Sequence, residues 1–289
     1  MRILVTADLH YDIERSRAPA RRLARKIADT GGDVLVLVGD TAGADLEPFR
    51  ECLELFADFP GRKLLVPGNH CLWCREGESS LDRYEKVLPE LASEAGFSML
   101  DHEPVVLGRT GLVGSIGWYD YSFRDESLGI PPAFYRAKVS PGAASYYGRD
   151  DLLAEHGDRL TDRQLALSVR WMDGVRVRLG MTDEQFVRRL AGKLRRQLEE
   201  VSARSDRIIV FMHQLPFRRL VPENRPDRFA FAAAYMGAEC FGEILLAFEK
   251  VTDAYCGHSH WRSEREIGHI NVVNIGSTYV TKRLEVLEI

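Results

Sequence analysis

The chain has little cysteine, no large excess of either charge, and no long apolar run. Its 289 residues include five cysteines. An odd set in so long a chain excludes a small secreted fold stapled by disulfides. Cys71 and Cys74 form a CxxC, but no second pair stands at zinc-ribbon spacing. Reduced thiols and a cytoplasmic setting are therefore expected. Lys and Arg number 39 against 43 Asp and Glu, giving a formal net charge of -4 and a pI near 6.1. No global basic field speaks for nucleic acid or an anionic membrane. No apolar run approaches the roughly 20 residues of a transmembrane helix. A cleaved signal peptide is not expected either, because cleavage would remove Asp8 and His10, both candidate ligands. Internal repeats and low-complexity segments are also missing. What is present is an ordinary globular composition, 45% hydrophobic and 28% charged. The length suits one large α/β domain, residues 1–289, able to bury a sizeable core.

The organising stretch is Val34-Leu35-Val36-Leu37-Val38-Gly39-Asp40. An unbroken apolar run of this length reads as a strand buried on both faces, as in a parallel sheet covered by helices. Residues 2–6 and 63–66 read the same way, with helices predicted over 15–30 and 46–59 between them. The result is a β-α-β-α-β pattern with right-handed crossovers. The three runs end in Asp8-Leu9-His10, Gly39-Asp40 and Gly68-Asn69-His70, so carboxylate, amide and imidazole groups collect at one sheet edge. Ligands bind at that edge in open α/β sheets.

A helix is predicted over 79–95, then a hairpin from 105–107 and 111–116 that opens a second sheet. Residues 118–204 read as an insertion or cap-like subregion within the domain, mainly helical. Capping-box signatures at Thr161–Gln164 and Thr182–Gln185 head two apolar stripes and predict an αα-hairpin. Further strands are expected over 207–212, ending in His213, and over 251–255, ending in Gly257-His258-Ser259-His260. A helix is expected over 240–248. The runs 272–275 and 283–288 are expected to complete the second sheet.

The strand-end groups are Asp8, His10, Asp40, Asn69, His70, His213, His258 and His260, which include five of the eight histidines. This mixture suits Mn, Fe, Zn or Ni better than Ca or Mg. The set is too large for one ion of four to six ligands, and two ions need a bridge that a carboxylate can supply. Two such ions about 3.5–4 Å apart bind a phosphate ester, activate a hydroxide and stabilise an in-line displacement.

In this order the motifs resemble those of the calcineurin-like metallophosphoesterase superfamily, over nearly the whole chain except 118–204. The resemblance implies a four-layer α/β/β/α sandwich of two mixed sheets flanked by helices. It implies a first metal held by Asp8, His10, Asp40 and His260. It implies a second held by Asp40, Asn69, His213 and His258. His70 is then no ligand but the acid facing the substrate oxygens, and an imidazole titrates in the right range for that task. The expected function is hydrolysis of a phosphomonoester or phosphodiester with two divalent ions, manganese among them. The alternatives are a metal-dependent nuclease and a catalytically silent scaffold.

Departures from the family pattern narrow the reading. Thr41-Ala42-Gly43 and Cys71 follow Gly39-Asp40 and Gly68-Asn69-His70, where relatives carry acidic residues or Asp-Arg. That speaks against a phosphoprotein phosphatase and leaves Asp12 or Asp45 as carboxylates that could orient His70. Trp118, Tyr119 and Tyr121 either line the pocket or pack under the insertion. His102, His156 and His269 match no motif and are expected at the surface. Arg188, Arg189, Lys193, Arg195 and Arg196 form a basic stretch, read either as a solvated helix face or as a contact for nucleic-acid phosphates.

Overall fold

The computed structural model describes residues 1–223 and 225–289. Its first sheet is built from β1 (Arg2–Thr6), β2 (Val34–Val38), β3 (Arg62–Val66), β4 (Phe97–Met99) and β11 (Glu285–Glu288). Their order is β11-β1-β2-β3-β4. Strands β1 to β4 run parallel, and β11 adds antiparallel to β1. The second sheet holds β5 (Val105–Leu107), β6 (Thr110–Ser115), β7 (Arg207–Met212), β8 (Val251–Cys256), β9 (Ser263–Ile267) and β10 (Ile270–Asn274). Its order is β5-β6-β7-β8-β10-β9, parallel from β6 through β10 with antiparallel strands at both edges.

Period-two alternation builds the layers. Ile3, Val5, Val34, Val36, Val38, Leu64 and Val66 from the first sheet share one apolar cluster with Leu112, Ile209, Phe211 and Val273 from the second. That cluster is the seam between two sheets packed face to face. The intervening residues Leu4, Leu35, Leu37 and Leu65 join Leu23, Ile27, Phe49 and Leu53 from helices Glu14–Thr30 and Leu46–Glu54. On the far side Val113, Val210 and Met212 join Leu190, Leu194 and Leu198 of the helix Asp183–Ser202. Gly111 shows how closely that helix lies on β6, since a Cβ there would stand 2.0 Å from Val201 Cγ1. Two mixed sheets flanked by helices are thus the observed architecture, as expected.

Three local expectations change. Strand β11 closes the first sheet rather than the second, pairing Ile3 with Leu287. The short strands β4 and β9 lie outside the predicted runs. The αα-hairpin is not formed. The Thr161 capping box is present, but its helix is only Asp162–Leu165. The backbone that should continue it is extended instead and pairs with residues 138–142. Ser140 N donates to Val169 O at 2.9 Å, Gly142 N to Leu167 O at 3.0 Å, and Trp171 N to Lys138 O at 2.8 Å. Tertiary hydrogen bonds have overridden the helical pattern. Among the described residues, no helix is long and apolar enough to cross a membrane.

Candidate metal centre

Five strands deliver the predicted groups to one edge. β1 leads into Asp8 and His10, β2 into Asp40, β3 into Asn69 and His70, β7 into His213, and β8 into His258 and His260. The loops are stitched to one another. Asp8 N donates to Gly39 O at 3.0 Å, His10 N to Asp40 O at 2.7 Å, and Gly257 N to His213 O at 3.0 Å. The carboxylates take part as well: His70 N donates to Asp40 Oδ1 at 2.9 Å and His258 N to Asp8 Oδ1 at 3.0 Å.

Backbone strain concentrates here. Of the seven non-glycine residues with positive φ among the described residues, five are Asp8, His10, Asp40, His258 and His260, with φ from 43° to 68°. Left-handed residues are uncommon, and they cluster at functional sites when the surroundings hold them in place. Two glycines make room for their neighbours. A Cβ on Gly39 would stand 2.0 Å from His213 Nδ1, and one on Gly68 would stand 2.1 Å from Asp40 Oδ1. Gly39 and Gly68 therefore each clear space for a side chain from a different strand.

The polar atoms face one another without pairing off. His213 Nε2 is 3.4 Å from Asp40 Oδ1, while His10 Nε2 is 3.6 Å and His70 Nε2 4.0 Å from Asp40 Oδ2. His260 Nε2 lies 3.6 Å from Asp8 Oδ1 and 3.1 Å from His10 Nε2. Asn69 Oδ1 is 3.2 Å from His213 Nε2. Donor atoms that each sit about 2.0–2.2 Å from a common ion stand roughly 3–4 Å apart, so these spacings fit divalent metal. Among the described residues, three groups offer ligand atoms that all lie within 4.8 Å of one another: Asp8, His10 and His260; His10, Asp40 and His70; Asp40, His213 and His258. Asp40 belongs to two of them.

Tautomers point the same way. His213 Nδ1 lies 3.2 Å from Val38 O, and His258 Nε2 lies 3.1 Å from Tyr235 O. A carbonyl only accepts, so each of those nitrogens carries a proton and the other ring nitrogen is the one turned to the site. Carbonyls behind metal-binding histidines do this routinely. Burial favours a protonated Asp8, whereas the charges of His213 and His70 outweigh burial at Asp40 and hold it well below the usual carboxylate range.

The cavity over this edge has a volume of about 260 Å³ and is walled by Asp40, His70, Trp73, Arg170, Trp171 and Tyr279, among others. Trp73 stacks on His70, with ring centroids 3.7 Å apart and planes 23° apart. The Arg170 guanidinium lies over the Tyr147 ring at 4.1 Å and makes no ion pair among the described residues. Neither Trp171 nor Arg170 carries a sequence signal, because both sit in the segment expected to be helical. Lys282 was equally illegible. It donates to Asp8 O at 2.6 Å and Thr278 O at 2.7 Å, and burial pushes its ammonium down to about 8.

Other candidates fall elsewhere. Trp118 and Tyr119 are fully buried and Tyr121 nearly so, and none of the three lines this cavity. Trp118 Nε1 donates to Asp183 Oδ1 at 2.8 Å, and the Tyr121 hydroxyl also bonds Asp183, so packing is their role. Asp45 is exposed and paired with Arg75, which removes it as a partner of His70. Asp12 Oδ1 and His70 Nδ1 are both buried without a hydrogen-bond partner among the described residues. In the basic stretch, Arg189 pairs with Glu85 and Lys193 with Asp101. His269 is exposed, but His102 and His156 are half-buried, each packed against an aromatic ring. All five cysteines are free.

A family model described as calcineurin-like phosphoesterase matches residues 1–262. No curated protein matches the chain in sequence. Among solved structures, the phosphopantetheinyl hydrolase of Mycobacterium tuberculosis superposes with a TM-score of 0.71 at 18% identity, over 96% of this chain and 89% of that one. A dimetal phosphatase from Danio rerio gives a TM-score of 0.52 at 15% identity, over 99% and 91%. A protein of Thermus thermophilus gives 0.53 at 12% identity, over 99% and 98%. These likenesses concern the fold.

Proposed function

The chain belongs to the calcineurin-like phosphoesterase family of metal-dependent phosphoric ester hydrolases, and on that premise we propose a dinuclear site that hydrolyses a small phosphomonoester or phosphodiester. Asp8, His10, Asp40 and His260 hold one divalent ion in this reading, and Asp40, Asn69, His213 and His258 hold the other. The observation that carries it is Asp40, whose two carboxylate oxygens face different histidines, Oδ1 towards His213 and Oδ2 towards His10. A carboxylate so placed could hold an ion on each oxygen. Bound ions supply Lewis acidity at the phosphoryl oxygens and a nucleophile ionised near neutral pH.

The protein's own residues do the rest. His70 stands on the open side of the cavity, 17% exposed at its side chain, with Trp73 stacked on its face. From there its Nε2 donates a hydrogen bond to the phosphoryl or leaving oxygen and then the proton that the leaving group needs. The Arg170 guanidinium takes the remaining substrate charge. Trp73, Trp171 and Tyr279 exclude water from around the leaving group. The chain reads as one domain, with 118–204 a subregion that walls this cavity through residues 170–173. Five free thiols support a cytoplasmic setting.

The test is hydrolysis of 4-nitrophenyl phosphate and bis(4-nitrophenyl) phosphate with Mn, Fe, Zn or Ni. A phosphopantetheinyl ester joins the panel because of the Mycobacterium tuberculosis enzyme's fold. Activity is expected with at least one ester, and a fall to background in Asp40→Ala. Undiminished turnover in Asp40→Ala sinks the reading.

A further inference from the structure

Asp173 lies outside every motif, in the segment that was expected to be helical, and is 1% exposed. Its carboxylate accepts from four neutral donors carried by three stretches of chain. Oδ1 takes Asn69 Nδ2 at 3.0 Å and Trp73 Nε1 at 2.7 Å. Oδ2 takes Trp171 Nε1 at 2.8 Å and the Tyr119 hydroxyl at 3.0 Å. A carboxylate offers about four acceptor sites, so this one is saturated. No lysine or arginine pairs with it among the described residues. A buried carboxylate without a cation is unfavourable, and hydrogen bonds must hold it.

The bond to Asn69 has a directional consequence. An amide has one accepting end and one donating end, nearly equal in shape. Asp173 can only accept from it, so the Nδ2 end must face Asp173. That forces Oδ1 to the opposite side, where it lies 3.2 Å from His213 Nε2. The same carboxylate oxygen holds the Trp73 indole, whose ring stacks on His70.

We propose that Asp173 is a positioning residue which turns the carbonyl oxygen of Asn69 towards the metal at His213 and His258 and seats Trp73 against His70. The inference rests on the dinuclear reading, with Asn69 as a ligand. It makes docking of the 118–204 subregion part of assembling the site, because Asp173 is delivered by that subregion. Without the carboxylate the Asn69 amide is free to turn its donor end to the metal, which cannot bind it.

The experiment is a calorimetric titration of the metal-free full-length chain with Mn, alongside electron paramagnetic resonance of the loaded protein. The unsubstituted chain is expected to bind two Mn per chain and to show the spectrum of a spin-coupled pair. Asp173→Asn keeps the shape and halves the acceptors. One site is expected to weaken by about 10–100-fold while the other is unchanged, and the coupled spectrum to vanish at two equivalents of Mn. Asp173→Glu keeps the charge but displaces the acceptor by one methylene. It is expected to give the same selective loss, and it serves if Asp173→Asn does not fold. Two sites of unchanged affinity in a folded variant overturn the inference. Equal weakening of both sites also overturns it, because that marks general loosening of the fold. Fewer than two sites in the unsubstituted chain would overturn the dinuclear reading itself, and that failure is told apart because it needs no substitution.

Discussion

Two regions meet at the cavity and are held in place by different means. At the strand-end edge, Asp8 and Asp40 hang from the neighbouring parallel strands β1 and β2, His213 hangs from β7 of the facing sheet, and the loops exchange backbone hydrogen bonds such as Asp8 N to Gly39 O. Register fixes the spacing of the first two, and the packing of the two sheets fixes the third. The excursion reaches the same space on irregular backbone, paired with residues 138–142. The buried side chain of Asp173 fastens it to Asn69 at the edge, and backbone bonds such as Cys74 N to Arg176 O tie it to the loop beyond His70. The difference teaches where precision is needed. Groups that would share an ion sit on the stiffest scaffold, while the wall that would meet the rest of the substrate rides on a segment outside the two sheets.

That contrast breaks most sharply at His70. His70→Gln is expected to lower kcat by roughly 10²–10⁴-fold while metal content stays at the unsubstituted level. Equal metal content and equal kcat would remove His70 from the chemistry. On the excursion side, Arg170→Ala is expected to raise KM about tenfold, consistent with one charge-assisted hydrogen bond of about 1.5–3 kcal/mol, with kcat and metal content little changed. A loss of metal in Arg170→Ala would mean that the excursion holds the ions as well as the substrate. The smallest effect is expected at Cys71, beside the edge, and at Cys240. Burial pushes the Cys71 thiol up to about 11, and the Cys240 thiol likewise. A raised pKa leaves little thiolate at pH 8, so iodoacetamide should label neither of these two there, and their labelling should climb only as pH approaches 11. Rapid labelling of Cys71 at pH 8, read by mass spectrometry, would show that the loop after His70 opens.

Legibility followed the same division. The edge was most readable at β2, which is buried on both faces, so its apolar residues run without interruption and stop at Gly39. All eight expected side chains, from Asp8 to His260, lie there. What that glycine does was only half readable. A turn was expected, but the clearance that Gly39 gives His213 depends on a strand more than 170 residues away. Arg170 and Asp173 were illegible for a different reason. Leu165, Val169 and Met172 have helical spacing, yet Leu165 and Met172 are 43% and 41% exposed. The backbone between them found partners in 138–142 that local pattern cannot announce. Strand β11 shows a third limit. Four residues of alternating burial identify a strand but not its neighbour, and β1 was the free edge that took it.

The central claim is that Asp40 serves two ions at once. The direct measurement is metal content per chain after saturation with Mn and removal of excess, for the unsubstituted protein and for Asp40→Ala. The account predicts two ions in the first and a loss at both sites in the second. One ion in the unsubstituted protein, or two retained in Asp40→Ala, contradicts it.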